Sequence, residues 1–163
     1  MKLTGGLEWA LHCCVVLAVA DEPVPVATLA EIHDVSPTYL AKQLQALSRA
    51  GIVRSTQGRS GGYLLTREPK DITMLDVVEA VDGPEAPFVC TEIRQRGPLA
   101  VSPDACKSLC GINRAMLAAD RAWRGSLRTV TIADLARGMQ RQYTGDVLGT
   151  IAAWLSDRTS EAS

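Results

Sequence analysis

Hydrophobic residues recur at helical spacing in several stretches of the chain. The first stretch, about residues 4–20, is apolar nearly all round, which predicts a buried helix. Val26–His33 predicts a short amphipathic helix. A third helix is expected from Pro37 to a stop at Gly51, because its apolar residues form one stripe, at Leu40, Leu44 and Leu47.

The third helix is followed by the pattern of a β-hairpin. Two β-prone runs, residues 52–55 and 63–66, flank a segment at 57–62 whose glycines permit the positive φ of a tight turn. Ser36 is expected to cap the third helix, with Pro37 in its first turn. Two helices joined by a short turn and followed by such a hairpin predict a winged helix-turn-helix.

The rest of the chain is mainly helical in pattern. Thr73 and Asp76 have the spacing of a capping box that opens a helix at 74–81. Residues 83–103 lose periodicity and predict an extended loop. A one-sided pattern over 111–127 is long enough to pair with a copy of itself, and extra helices are expected at 131–140 and 147–155.

The predicted fold class is mainly α with a small β-hairpin wing. We expect a winged helix-turn-helix DNA-binding domain at residues 1–82 and a cysteine-bearing cluster loop at 83–110. A dimerisation helix followed by C-terminal helices is expected at 111–163.

Composition and charge narrow the possible functions. The 163 residues are 47% hydrophobic with a formal net charge of −1, which excludes a disordered tail and a globally basic nucleic-acid coat protein. Residues 36–70, however, carry six basic side chains against the single acid Glu68. A basic island in a neutral protein indicates a small surface for phosphate, although a solvated helix face gives the same pattern.

No segment predicts a membrane partner or export. The longest apolar stretch, residues 10–20, is too short to span a bilayer, and the N-terminus does not resemble a secretory signal. We therefore expect a cytoplasmic protein, in which five cysteines favour core thiols, metal ligands or redox chemistry over disulfides.

The start of the third helix predicts a double-stranded DNA reading surface. In a winged helix-turn-helix the N-terminal residues of the second helix of the motif enter the major groove. Gln43 can pair with adenine, Lys42 can reach guanine or phosphate, and hydroxyls suit backbone oxygens. The predicted DNA-binding residues, including two at the tip of the wing, are Ser36, Thr38, Tyr39, Lys42, Gln43, Arg59 and Ser60.

The cysteines divide into two sets. Cys13 and Cys14 lie in the most apolar helix, where free cysteines are normally core residues. Cys90, Cys106 and Cys110 frame a loop rich in proline and glycine, with C-x15-C-x3-C spacing, and are good soft-metal ligands.

Several motifs in one order resemble the Rrf2 family of dimeric winged-helix transcription regulators, which includes iron–sulfur proteins. The resemblance covers about residues 3–127 and rests on SPTYL (36–40), LSRAGIV (47–53), GRSGGYLL (58–65) and ITMLDVV (72–78). Within the family it is greatest to redox-sensitive actinobacterial members, through GGLEWALHCC (5–14) and VCTEIR (89–94). It implies a homodimer with one iron–sulfur cluster per subunit that reads a palindromic operator.

The chain departs from the family's usual ligand pattern. Members with a [2Fe-2S] cluster commonly have three closely spaced cysteines and a histidine three residues after the last, where this chain has Asn113. Because asparagine is a poor iron ligand, a fourth ligand is needed, and His12 with Glu8 occupies one face of the first helix. The expected [2Fe-2S] ligands are Glu8, His12, Cys90 and Cys110.

The expected function is a redox-responsive transcription regulator, not an enzyme, whose cluster modulates operator affinity. One alternative in the same family is a nitric-oxide-sensing repressor with a [4Fe-4S] cluster on Cys90, Cys106 and Cys110. Two others are a thiol oxidoreductase using Cys106 and Cys110, which lacks a C-x-x-C motif, and a zinc-bound or metal-free partner-binding module.

Overall fold

The structure, a computed structural model, describes residues 3–58, 61–86 and 88–161. The described helices are α1 Gly5–Leu17, α2 Val26–His33, α3 Pro37–Arg49, α4 Met74–Asp82, α5 Gly111–Arg128, α6 Ile132–Gln142 and α7 Val147–Glu161. Strands β1 Val53–Thr56 and β2 Gly62–Leu65 form one antiparallel pair. The fold class predicted from the hydrophobic pattern, mainly α with a β-hairpin wing, is confirmed.

The described residues group into two compact units, which we name by their contents. The winged-helix unit comprises Leu3–Pro84 and the chain from Leu127 onward, and the cysteine unit is Glu85–Ser126. These units divide the chain at different points from the three predicted domains, because α6 packs on α1 and on the 3-10 turn Pro69–Asp71. The division into three functional segments stays a prediction.

The core of the winged-helix unit forms where α1, α3 and α4 meet. The apolar stripe of α3 supplies fully buried leucines, and α1 buries Leu7, Ala10 and every residue from Cys13 to Leu17. Burying a leucine side chain stabilises a fold by about 1.5–3 kcal/mol. The buried leucines Leu40, Leu44 and Leu47 therefore hold α3, the candidate recognition helix, against the core.

The wing is anchored to the segment between α1 and α2. Val24 and Tyr63 exchange two backbone hydrogen bonds, of 3.0 and 2.8 Å, which add a bridge to the edge of the hairpin. A Cβ at Gly62 would lie 2.4 Å from the Val24 carbonyl carbon, so this approach requires glycine. Both strands are displaced by one residue from the predicted runs, β1 towards the C-terminus and β2 towards the N-terminus.

The helix caps differ from the predictions at one position. Thr73 and Asp76 form the predicted capping box, with both reciprocal hydrogen bonds present. Ser36 lies at the N-cap of α3, but its side chain makes no capping hydrogen bond, so that prediction is wrong. Ser36 has φ −63° and ψ 128°, whereas Thr73, which does cap, has φ −94° and ψ 159°.

Candidate functional site

The N-terminal half of α3 presents a polar, exposed face. Ser36, Thr38, Tyr39 and Lys42 are all exposed, as predicted for residues that contact DNA. Because the Ser36 side chain does not cap the helix, its hydroxyl does not occupy the first backbone N–H groups of α3. Such N–H groups at a helix N-terminus are suited to bind a phosphate.

The structure overturns the expectation that Gln43 is exposed to read a base. Only 7% of its surface is accessible, and it packs on α1, where a Cβ at Gly6 would lie 2.5 Å from Gln43 Oε1. Gln43 lies three residues after Leu40 and four before Leu47, so it belongs to the buried stripe. Attention to this spacing would have placed it in the core.

Gln45 and Arg49 are exposed residues that the sequence analysis missed. Together with Thr38 and Lys42, they follow the helical spacing i, i+4, i+7 and i+11 along the outer face of α3. Arg54 on β1 is exposed as well. Arg59 and Ser60, predicted at the tip of the wing, lie outside the described residues.

Glu8 and His12 are both exposed on one face of α1, as their i, i+4 spacing predicts. They line an open groove of about 380 Å³ in the winged-helix unit, together with residues of α1, of α4 and of α6 and its C-terminal end. Apolar side chains of this groove include Leu11, Leu135 and Met139. A carboxylate and an imidazole therefore stand side by side at an accessible position.

His33, the last residue of α2, connects this face of α1 to the helix-turn-helix. Its ring lies edge-on to Trp9 and His12, with centroid distances of 5.9 and 5.8 Å. Burial lowers the pKa of His33 below its usual value, with a smaller contribution from His12. Its Nε2 atom is buried and has no hydrogen-bond partner. A displacement at His12 would therefore be felt directly by α2.

Cys13 and Cys14 are core residues, as predicted. Both are fully buried in α1, and burial raises the pKa of the Cys13 thiol to about 12 and that of Cys14 further. Thiols in this environment remain protonated and are poor metal ligands.

The cysteine unit brings Cys90 and Cys110 together. Cys90 lies near enough to Cys110 to contribute to the lowered pKa of its thiol, and the Cys110 sulfur accepts the backbone N–H of Asn113 at 3.3 Å. The hydrogen bond from Asn113 is the main cause of a lowered pKa of the Cys110 thiol. Asn113 stands at the position where related [2Fe-2S] proteins have a histidine. It contacts the Cys110 sulfur through its backbone N–H, at the start of α5.

Cys106 belongs to the same unit and is partly exposed. Its thiol lies near the Glu92 carboxylate, whose pKa it helps to lower, and near the guanidinium of Arg94. All three loop cysteines are free, and none is fully buried. Cys106 is therefore an accessible sulfur in the cysteine unit.

The donor chemistry fits an iron–sulfur cluster in part. Two neighbouring thiols, one of which accepts a backbone N–H, match the thiolate and N–H···S environment of such clusters. In residues 3–58, 61–86 and 88–161, no three His, Cys, Asp or Glu side chains are grouped so that they could hold a metal ion. The winged-helix unit supplies Glu8 and His12 of the predicted set, and the cysteine unit supplies Cys90 and Cys110.

Helix α3 is buried on its inner face and polar on its outer face. A short turn joins it to α2 and a β-hairpin follows it, which is the arrangement of a winged-helix DNA-binding protein. Residues 3–138 match the family model described as "Rrf2: Iron-dependent Transcriptional regulator". The chain belongs to the Rrf2 family of DNA-binding transcriptional regulators, and it is not an enzyme.

Two relatives illustrate the similarity in sequence. The transcriptional repressor NsrR of Streptomyces coelicolor is 31% identical over 163 residues, which span 98% of this chain and 99% of the relative. Protein rrf2 of Nitratidesulfovibrio vulgaris is 32% identical over 139 residues, which span 84% and 88% of the two chains.

Solved structures show the same fold. IscR of T. potens aligns with a TM-score of 0.65 at 21% identity and covers 89% of this chain and 93% of its own. CymR, the global cysteine regulator of B. subtilis, aligns with a TM-score of 0.64 at 25% identity and covers 84% and 97%. Across the described part of the chain, none of the helices combines the length and apolar character needed to cross a membrane.

Proposed function

We propose that this Rrf2-family regulator responds to redox state through a [2Fe-2S] cluster whose ligands are Cys90, Cys110, Glu8 and His12. The backbone N–H that Asn113 donates to the Cys110 sulfur at 3.3 Å is the observation that carries the proposal. Bound in this way, the cluster supplies a one-electron couple, and imidazole ligands raise the potential of such couples, as in Rieske centres.

The packing of α1 supports a route from these ligands to the DNA-facing surface. Glu8 and His12 lie on α1, which packs against α3 and meets α2 through His33. Gln43 extends this contact, because its buried side chain joins α3 to Gly6. A change at the outer face of α1 therefore acts on both helices of the DNA-binding motif, and a coupling of about 1–3 kcal/mol would change affinity about 5–150-fold.

We also propose that the protein is a homodimer that binds a palindromic operator in the cytoplasm. The support is α5, which buries none of its residues in the described chain. Ile112 and Met116, which lie one turn apart on this helix, are 65% and 40% exposed. A second copy of the chain would bury an apolar helix face of this kind. A twofold-symmetric dimer binds two half-sites of DNA.

A direct test is anaerobic purification followed by iron and sulfide counts and a visible spectrum before and after dithionite. The proposal predicts about two irons and two sulfides per chain, with a spectrum that reduction bleaches. His12→Ala should alter the spectrum while the far-ultraviolet circular dichroism is unchanged, and Gln142→Ala, in the same groove, should leave both unchanged. A colourless protein, or one with four irons, would contradict the [2Fe-2S] assignment.

The nitric-oxide-sensing [4Fe-4S] repressor is the second candidate. It is favoured by the position of Cys106, which shares the positive charge of Arg94 with Cys110. Cys106→Ser separates the candidates: it should remove iron if three cysteines hold the cluster and leave a two-iron spectrum intact if Cys90 and Cys110 suffice.

A further inference from the structure

Arg94 occupies a central position in the cysteine unit that neither the DNA-binding surface nor the proposed ligand set explains. Its guanidinium forms a two-pronged ion pair with Glu92, with Nη2 2.8 Å from Oε2 and Nε facing Oε1. The same Nη2 donates to the Ser108 carbonyl at 3.0 Å. Paired N–H···O bonds of this kind fix the orientation of both partners.

The two anchors of Arg94 are placed evenly between the cysteines. Glu92 follows Cys90 by two residues, and Ser108 precedes Cys110 by two residues. One guanidinium therefore ties the chain just after the first sulfur to the chain just before the second. The backbone of Arg94 adds a further tie, since its carbonyl accepts the Val101 N–H at 2.9 Å.

The backbone at Glu92 shows that this arrangement has a conformational cost. Glu92 has φ 51° and ψ 51°, in the left-handed region that residues other than glycine rarely adopt. The bonds from Arg94 to the Glu92 carboxylate oppose that strain. They also leave both side chains partly buried, with 28% of Arg94 and 33% of Glu92 exposed.

We propose that Arg94 is a positioning residue that clamps the loop so that Cys90 and Cys110 face one another, and that places a fixed positive charge beside the sulfurs. This inference rests on the proposed function for its redox consequence only, because the clamp itself concerns the cluster-free chain. A cation beside a cluster stabilises the reduced, more negative state and so raises its potential.

The clamp is tested first on cluster-free protein, in a Cys106→Ser background, with a trivalent phenylarsenical that binds only paired thiols. Arg94→Gln should reduce capture of Cys90 with Cys110 at least tenfold, as read by mass spectrometry of the peptides. Arg94→Lys, which keeps the charge but not the two-pronged geometry, should lie in between. Arg96→Gln is the matched control, since Arg96 is an exposed arginine of the same loop whose guanidinium donates to the Thr91 carbonyl, at 3.4 Å.

The charge is tested on anaerobically purified protein by redox titration of the visible spectrum. Arg94→Gln should change the ratio of oxidised to reduced protein at a fixed potential about tenfold in favour of the oxidised form, which is about 59 mV for one electron. Arg94→Lys should retain most of the wild-type potential.

Glu92→Gln provides a second variant of the clamp. In the phenylarsenical assay it should capture Cys90 with Cys110 less than wild type does.

The outcomes separate the clamp from the proposed function. Wild-type capture of the thiol pair by Arg94→Gln and Glu92→Gln would overturn the clamp, whatever the iron content. Loss of capture in both variants, with capture retained in Arg96→Gln, would support it even if no preparation contained iron, a result that would overturn only the proposed function. A wild-type potential in Arg94→Gln would overturn the electrostatic role.

Discussion

At the scale of single residues, burial separates the side chains that can contact DNA from those that hold the recognition helix in place. Lys42 and Gln43 are neighbours in sequence, yet Lys42 is exposed and Gln43 is buried on α1. Residue type alone ranks Gln43 as a good reader of adenine. Only its place in the apolar stripe of α3 shows that it packs on Gly6 instead.

Substitutions at two outer positions and one inner position of α3 test this division. Lys42→Ala should weaken binding to all duplexes and reduce the salt slope by about one. Gln45→Ala should change the base preference at one position, measured by selection from a randomised duplex pool. Gln43→Ala should instead lower the free energy of unfolding by about 0.5–3 kcal/mol, measured in urea. Sequence-specific loss of binding by Gln43→Ala without loss of stability would contradict the assignment.

The candidate ligands show what sequence can and cannot give at this scale. The i, i+4 spacing of Glu8 and His12 places them on one face of α1, and the structure confirms that both are exposed there. Cys90 and Cys110 lie at opposite ends of a loop without periodicity, in which Arg94 donates to the Ser108 carbonyl and Asn113 donates to the Cys110 sulfur. No local pattern encodes those contacts, so the clamp could not be predicted.

At the scale of secondary structure, helical periodicity predicts the elements well. The bounds of α2 agree with the prediction, and α4 and α5 end within one residue of it. The strands are displaced because the Val24–Tyr63 bridge, a long-range contact, decides where β2 begins. Helix α7 continues to Glu161, beyond the predicted end at residue 155. The extension was not predicted because the polar residues after Leu155 carry no apolar stripe.

A second capping box, at the start of α6, was missed although its signal is present. Thr131 and Asp134 repeat the spacing of Thr73 and Asp76 and make the same reciprocal hydrogen bonds. The two threonines pair in a short bridge, in which the Ile132 N–H donates to the Ile72 carbonyl at 2.9 Å. This bridge joins the beginnings of α4 and α6 within the winged-helix unit.

The second capping box predicts a defined pH dependence of stability. Hydrogen bonds from the Thr131 side chain and backbone, with a smaller contribution from Arg137, lower the pKa of Asp134 from 3.8 to about 2. Because the folded-state pKa is depressed, the stabilisation is full above pH 4 and is lost as the pH falls towards 2. Asp134→Ala should therefore be less stable than wild type at pH 6, with a difference that shrinks below pH 4 in urea unfolding.

Asp157→Ala is the matched control for this experiment, because Asp157 is an exposed carboxylate on α7. It should follow the wild-type curve across the same range. A stability difference for Asp134→Ala that does not change between pH 6 and pH 2 would contradict the role of its carboxylate.

At the scale of the whole molecule, the exposed apolar face of α5 supports the proposed homodimer. The apolar residues Ile112, Met116, Ala119 and Trp123 follow one face of α5 at helical spacing. Beside them lies a cavity of about 260 Å³ lined mainly by apolar side chains, including Phe88 and Trp123. A face of this kind typically marks a protein–protein interface.

Charge introduced on this face should dissociate the dimer. Ile112→Glu with Met116→Glu should weaken dimerisation at least about tenfold, which is 1.4 kcal/mol, because the carboxylates would be buried without partners. Sedimentation equilibrium measures the constant. The control Ala118→Glu adds one carboxylate on the far side of α5 and should remain dimeric. Monomeric wild-type protein, or a dimer unaffected by the double substitution, would contradict the proposed interface.

The most direct measurement of the central claim is operator affinity as a function of redox state. A duplex selected from a randomised pool is titrated anaerobically, at one salt concentration, with oxidised, reduced and cluster-free protein. The account predicts dissociation constants for the oxidised and reduced forms that differ by about 5–150-fold. Equal affinity in all three forms would contradict it.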